Sequence, residues 1–150
     1  MTIDEKEINS IFDSHDKKIL DAKKKAKEEH EKFLAGNNKA IQIGKEIVLP
    51  SIMKIDQKLK SHDLESKIKD ELKPDSYSPS ITLEVVQKDP FSISKLAFRI
   101  SAIEDVVEII PEELTGTNRP SRNNNKKLKR SELTQEIVDR ELVSFLRDIL

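Results

Sequence analysis

Three histidines, a scatter of carboxylates and a run of basic residues are the groups in this chain that could do chemistry. A helical zinc site needs two ligands one turn apart on a shared face, and no two of His15, His30 and His62 have that spacing. Four residues either side of His30 stand Ala26 and Leu34, and around His15 stand Ile11 and Ile19, so no carboxylate substitutes there. His15 instead falls on an apolar stripe, where a polar group commonly sets helix register. Serines are plentiful, but none lies in a glycine-flanked elbow with an assignable histidine–acid pair. With three glycines in the chain, a phosphate-cradling loop is nearly excluded and no dinucleotide fingerprint is present.

Pro74-Asp75 and Glu84 imitate the opening of the magnesium-binding pattern of restriction-type nucleases. That pattern continues with a lysine separated from the second acid by one residue, so that metal and water are held together. The lysine position here is Val86, and Lys88 lies two residues too far along. Pro74-Asp75 reads more simply as a helix stop. No catalytic motif emerges, and the sequence points to a protein that is not an enzyme, with no metal, cofactor or small-molecule substrate.

The sharpest charge feature is the stretch from 119 to 130. Arg119, Arg122, Lys126, Lys127, Lys129 and Arg130 are six basic residues in twelve, with no acid among them. Phosphate backbones attract such clusters through counterion release, whereas a basic loop is more commonly plain solvated surface or a dock for an acidic partner, and nucleic acid is the minority reading. No aromatic side chain is interleaved for base stacking, which weakens a single-strand reading.

The elements that would position these groups are mostly helical at the N-terminus. Ile8, Phe12, His15, Ile19, Ala22, Ala26 and Phe33 recur at alternating steps of four and three, with Glu29 breaking the series. Nearly everything between them is charged. Such a narrow seam cannot bury itself alone and calls for a partner helix. The first helix is expected to start near Thr2 or Asp4 and to stop at Ala35-Gly36-Asn37-Asn38. A second helix is expected from Lys39 to Lys60, perturbed at Pro50, and so short a connection suits an antiparallel hairpin with the first. Leu64, Ile68 and Leu72 suggest a short third helical piece ended by Pro74.

Beyond Pro74 the pattern changes. Ile81, Leu83 and Val85 alternate with polar residues, as do Leu96, Phe98 and Ile100, and Val106 to Ile110 forms a third apolar run before Pro111. A helix over Ser101–Ile110 is the rival reading of that third run, and β-branched enrichment favours strand. Lys88-Asp89-Pro90 and Glu104-Asp105 read as turns. Residues 115–130 read as a long polar loop. Ser131 and Glu132 open a last helix whose apolar face includes Leu133, Ile137, Val138, Leu142, Phe145 and Ile149.

Composition agrees with extended, solvated elements: hydrophobic residues are 35% and charged residues 37%, with a formal net charge of −1. With no cysteine, disulfides and thiolate sites are impossible. The opening MTIDEKEINS lacks a basic stretch before an apolar core, so no secretory signal is expected. No apolar run is long enough for a membrane span. The expected fold is α+β: long N-terminal helices as a hairpin or coiled-coil arm over 1–73, then a small domain over 74–150. That second domain would hold three antiparallel strands, the basic loop 115–130 and a C-terminal helix packed on the sheet. The expected role is a non-enzymatic oligomerising or docking subunit of a cytoplasmic assembly. Its expected partner is protein, with a homo-oligomer (a dimer first) ahead of other arrangements. A nucleic-acid-binding accessory protein using 119–130 is the alternative.

Overall fold

The computed structural model describes residues 4–88, 91–115, 120–122 and 125–150. The chain divides into two compact units, Met1–Phe33 and Leu34–Leu150. From Glu5 the first unit is helix, the opening part of α1 (Glu5–Ile43). The Asp4 carboxylate accepts from the backbone N–H of Lys6 at 3.0 Å and caps the helix start. Glu5 and Glu7 add negative charge at the positive end of the dipole.

In the second unit α1 continues through Ala35-Gly36-Asn37-Asn38, so the expected stop, and the hairpin that depended on it, do not occur. Asn37 and Ala40 are buried there, and a methyl group placed on Gly36 would overlap the backbone carbonyl oxygen of Ala102. Gly36 is therefore needed for close approach rather than for a left-handed cap. A π-helical turn, Gly44–Val48, follows and leads into α2 (Leu49–Ser61). Pro50 explains the turn. It has no N–H to donate and its ring crowds the carbonyl one turn back, and widening the turn before it relieves both faults. The backbone N–H of Leu49 accordingly reaches Gly44 O, five residues back.

The sheet is larger than expected. Its strands are β1 (Glu65–Glu71), β2 (Ser80–Lys88), β3 (Phe91–Ile100), β4 (Val107–Thr115), β5 (Pro120–Arg122) and β6 (Lys126–Leu128). They follow the order β1-β2-β3-β4-β5, antiparallel throughout, and β6 also pairs with β4. The three-stranded expectation is thus corrected to a five-strand antiparallel path with β6 beside it. Leu64, Ile68 and Leu72 frame β1 rather than a helix. A spacing of four keeps residues on one face of a strand as well as on one face of a helix, so those three residues could not distinguish the two.

β5 and β6 arise within the segment expected to be loop. β5 pairs with Glu112–Leu114 and β6 with Val107–Ile109, leaving Ile110 and Pro111 between them. A proline cannot donate to a ladder, and the outer pairing breaks where it stands. The expected turn at Lys88-Asp89-Pro90 has Asp89 and Pro90 outside the described residues. The stretch Ala102–Asp105 bends between β3 and β4, so the rival helix over Ser101–Ile110 does not form.

Ile81, Leu83 and Val85 of β2, Leu96, Phe98 and Ile100 of β3, and Val107 and Ile109 of β4 are buried in a single core. Val48 and Ile52 with Leu59 cover it from the π turn and α2. Val138, Leu142 and Phe145 cover it from α3 (Gln135–Ile149). α3 is capped by Thr134, whose hydroxyl accepts from Ile137 N at 3.3 Å, and not by Ser131. Residues 130–132 form a separate 3-10 turn.

The opposite face of the sheet carries charge in register. Lys67 pairs across to Glu84, Glu84 to Lys95 and Lys95 to Glu112, so the sign alternates strand by strand from β1 to β4. Opposite charges directly across strands contribute roughly 0.2–1 kcal/mol each.

Candidate association surface

The groups able to act on a ligand are dispersed, whereas one surface is continuous: the helical seam of the first unit. At about 100° per residue, its seven positions fall within an arc of about 80° on the helix. Phe12 is 61% exposed and Ile19 42%, and His15, Ala22 and Ala26 are exposed as well. Ile8 and Phe33 are half-buried. Ile11, 63% exposed, flanks the same arc and was not among the expected seam residues. The alternating series starts with a step of four, from Ile8 to Phe12, and so passes over Ile11, three residues after Ile8. Leu20 is exposed on another side of the helix.

On the seam itself, His15 Nδ1 lies 3.4 Å from Asp16 Oδ1, an exposed contact between chain neighbours. The surrounding Lys and Glu runs keep the remaining faces solvated. Propensity alone gives an isolated helix only marginal stability, and the apolar stripe is the surface of this one that is suited to packing.

The basic stretch is divided by the fold. Lys126 Nζ binds both carboxylate oxygens of Glu141 on α3, at 3.0 and 3.2 Å. Arg130 turns inward, its side chain 12% exposed, and donates through Nη1 to the Ser101 carbonyl at 2.9 Å. Its Nε lies 3.8 Å from Asp105. Ser131 N and Oγ also donate to the Asp105 carboxylate, at 3.2 and 3.3 Å. Lys127 and Lys129 are exposed. Arg119 lies outside the described residues, as does the side chain of Arg122. Lys126 and Arg130 therefore serve as internal staples in addition to any external contact.

The carboxylates weighed for metal chemistry are apart. Asp75 is exposed in the segment after β1. Glu84 is buried on the charged sheet face, with Lys67 Nζ at 3.9 Å and Lys69 Nζ at 3.5 Å. Its two partners are lysines, which is the chemistry of a cross-strand ion pair. Among the described residues no group of three or more His, Asp or Glu side chains is placed to hold a metal ion.

A cleft of about 450 Å³ opens between β3, β4 and α3, with Leu96, Ile109 and Phe145 at its base and the Lys126–Glu141 pair among its lining groups. Among the described residues, no helix is long and apolar enough to cross a membrane. No family model, curated protein or solved structure matches the chain.

Proposed function

We propose that this chain is a non-enzymatic docking or oligomerising subunit of a cytoplasmic assembly and associates through the seam of α1. The single observation that carries the reading is the exposure of Phe12 and Ile19 on a stripe of otherwise charged helix. Burying a large exposed apolar side chain gains about 1.5–3 kcal/mol, so covering Phe12 and Ile19 supplies association energy at the heart of the stripe. Their alignment at steps of four and three matches the way one helix receives the side chains of another. The partner is a helix with a complementary stripe.

Ile19→Asp tests this directly. The charge should abolish association, seen as a fall in solution mass by light scattering, with far-UV circular dichroism of the α+β unit retained. A wild-type protein that is monomeric and captures no helical partner, or an Ile19→Asp variant of unchanged mass, overturns the reading. Nucleic-acid binding through 119–130 is the weaker alternative, because Lys126 and Arg130 are already engaged within the chain.

A further inference from the structure

We infer that the partner of the seam is a second copy of this chain, with the two helices antiparallel and overlapping from Ile8 to Phe33. The inference rests on the seam being the association surface and adds the identity and direction of the occupant. Two arrangements bring a seam against itself, and the side chains on and beside it discriminate them.

In a parallel, in-register pair every seam residue meets its own copy. Phe12 would stack on Phe12, Ala22 and Ala26 would face alanines, and Glu29 would be pressed against Glu29 at the axis. Beside the axis, a parallel coiled coil pairs each flanking residue with one five positions later on the other strand. That places Lys18 against Lys23 twice over and Lys25 against His30. The interface would alternate between crowded and hollow layers and would repel at its centre.

Reversing one helix changes each of these contacts. Ile8 then meets Phe33 of the second copy, Phe12 meets Glu29, His15 meets Ala26 and Ile19 meets Ala22. At the centre each larger side chain lies opposite an alanine, so the two backbones keep an even distance. Glu29 no longer faces another Glu29, and its methylenes can lie along the Phe12 ring while the carboxylate reaches water. On one flank Asp16 faces Lys23 twice, an attraction, and on the other Lys18 faces Lys25 twice, a repulsion. Antiparallel flanks therefore balance, whereas parallel flanks only repel. Antiparallel helix dipoles also oppose each other favourably.

The absence of native cysteine makes the test clean. Asn9→Cys, at an exposed position beside the seam, accepts one spin label per chain. In the antiparallel register Asn9 lies beside position 32 of the second copy. The two labels are then about 35 Å apart at 1.5 Å per residue. A parallel pair holds them about 10 Å apart, the spacing of packed helix axes. Pulsed dipolar spectroscopy on the full chain reads the difference. A charge-swap series gives a second measurement. Asp16→Lys should weaken the dimer severalfold, and Asp16→Lys with Lys23→Asp should restore it. A dimer with labels about 10 Å apart, or one not restored by the double swap, overturns the antiparallel inference while leaving self-association intact. A chain that is monomeric by light scattering at every concentration overturns both.

Discussion

Asn37 donates from Nδ2 to the Ser76 carbonyl at 2.7 Å, and the same nitrogen reaches the Lys73 carbonyl at 3.1 Å. One amide on α1 thereby holds the segment that connects β1 to β2. Its Oδ1 is buried without a hydrogen-bond partner, so donation is what this position supplies. Asn37→Ala should cost about 1–3 kcal/mol, because the part-buried Ser76 carbonyl loses its amide donor while the Lys73 carbonyl keeps only the Ser76 N–H. Asn37→Asp should cost more, since a carboxylate would set acceptor against acceptor. Chemical denaturation of the two variants checks the order, and an aspartate as stable as the alanine would contradict it.

Gly36 gives a second test of the same contact. On an exposed helix, Gly→Ala gains up to about 1 kcal/mol from backbone entropy and propensity. Here the added methyl meets the Ala102 carbonyl, which is backbone and cannot swing aside. Ala102 N in turn donates to Tyr77 O at 2.9 Å, so the loop is fixed on its far side too. Gly36→Ala should therefore destabilise by about 1–3 kcal/mol, the range for overpacking. A rise in the thermal midpoint would show that α1 does not approach the loop so closely.

These two residues also show where the sequence misleads. Glycine and asparagine in succession are the usual signature of a helix end, and Ala35-Gly36-Asn37-Asn38 reads that way. Their roles come from Ala102, Lys73 and Ser76, all distant in sequence and unpredictable from local pattern. The strands at 81–85 and 96–100 were legible because alternation is local. β1 was not, since Leu64, Ile68 and Leu72 suit both periods, and β4 runs through Pro111 because the outer pairing breaks there. Within the candidate surface the seam is legible for the same reason as the strands: its periodicity needs no partner to be seen. The inward turn of Arg130 and the tie from Lys126 to Glu141 are tertiary facts, invisible in a run of like charges.

The division of the basic stretch separates its members by experiment. Arg130→Ala should destabilise the second unit by more than about 1 kcal/mol, because a hydrogen bond from a charged group is lost and the Ser101 carbonyl is orphaned. Lys127→Ala and Lys129→Ala should change stability by less than about 0.5 kcal/mol, as exposed substitutions do. Lys126→Ala should fall between them. In a double-mutant cycle with Glu141→Ala, the coupling should be about 0.2–1 kcal/mol and shrink with salt. Equal effects from all four lysine and arginine variants would mean that the fold does not divide them.

Glu84 provides the contrasting case, a buried carboxylate whose removal should be tolerated. Its side chain is 8% exposed, but Lys67 and Lys69 are 61% and 42% exposed and can regain water when it goes. Breaking a buried pair is costly when the surviving charge stays buried, and neither lysine would. Glu84 Oε2 accepts no hydrogen bond, so no donor is stranded either. A β-branched residue suits the strand, and the neighbouring Val86 and Ile93 on that face offer apolar contact. Glu84→Val should thus be neutral or stabilising, within about 1 kcal/mol, by urea denaturation. Glu84→Lys should be destabilising, because it would set three positive charges, at 67, 84 and 95, directly across adjacent strands. If the valine variant instead lost several kcal/mol, the charge ladder would be holding the sheet together rather than merely decorating its open face.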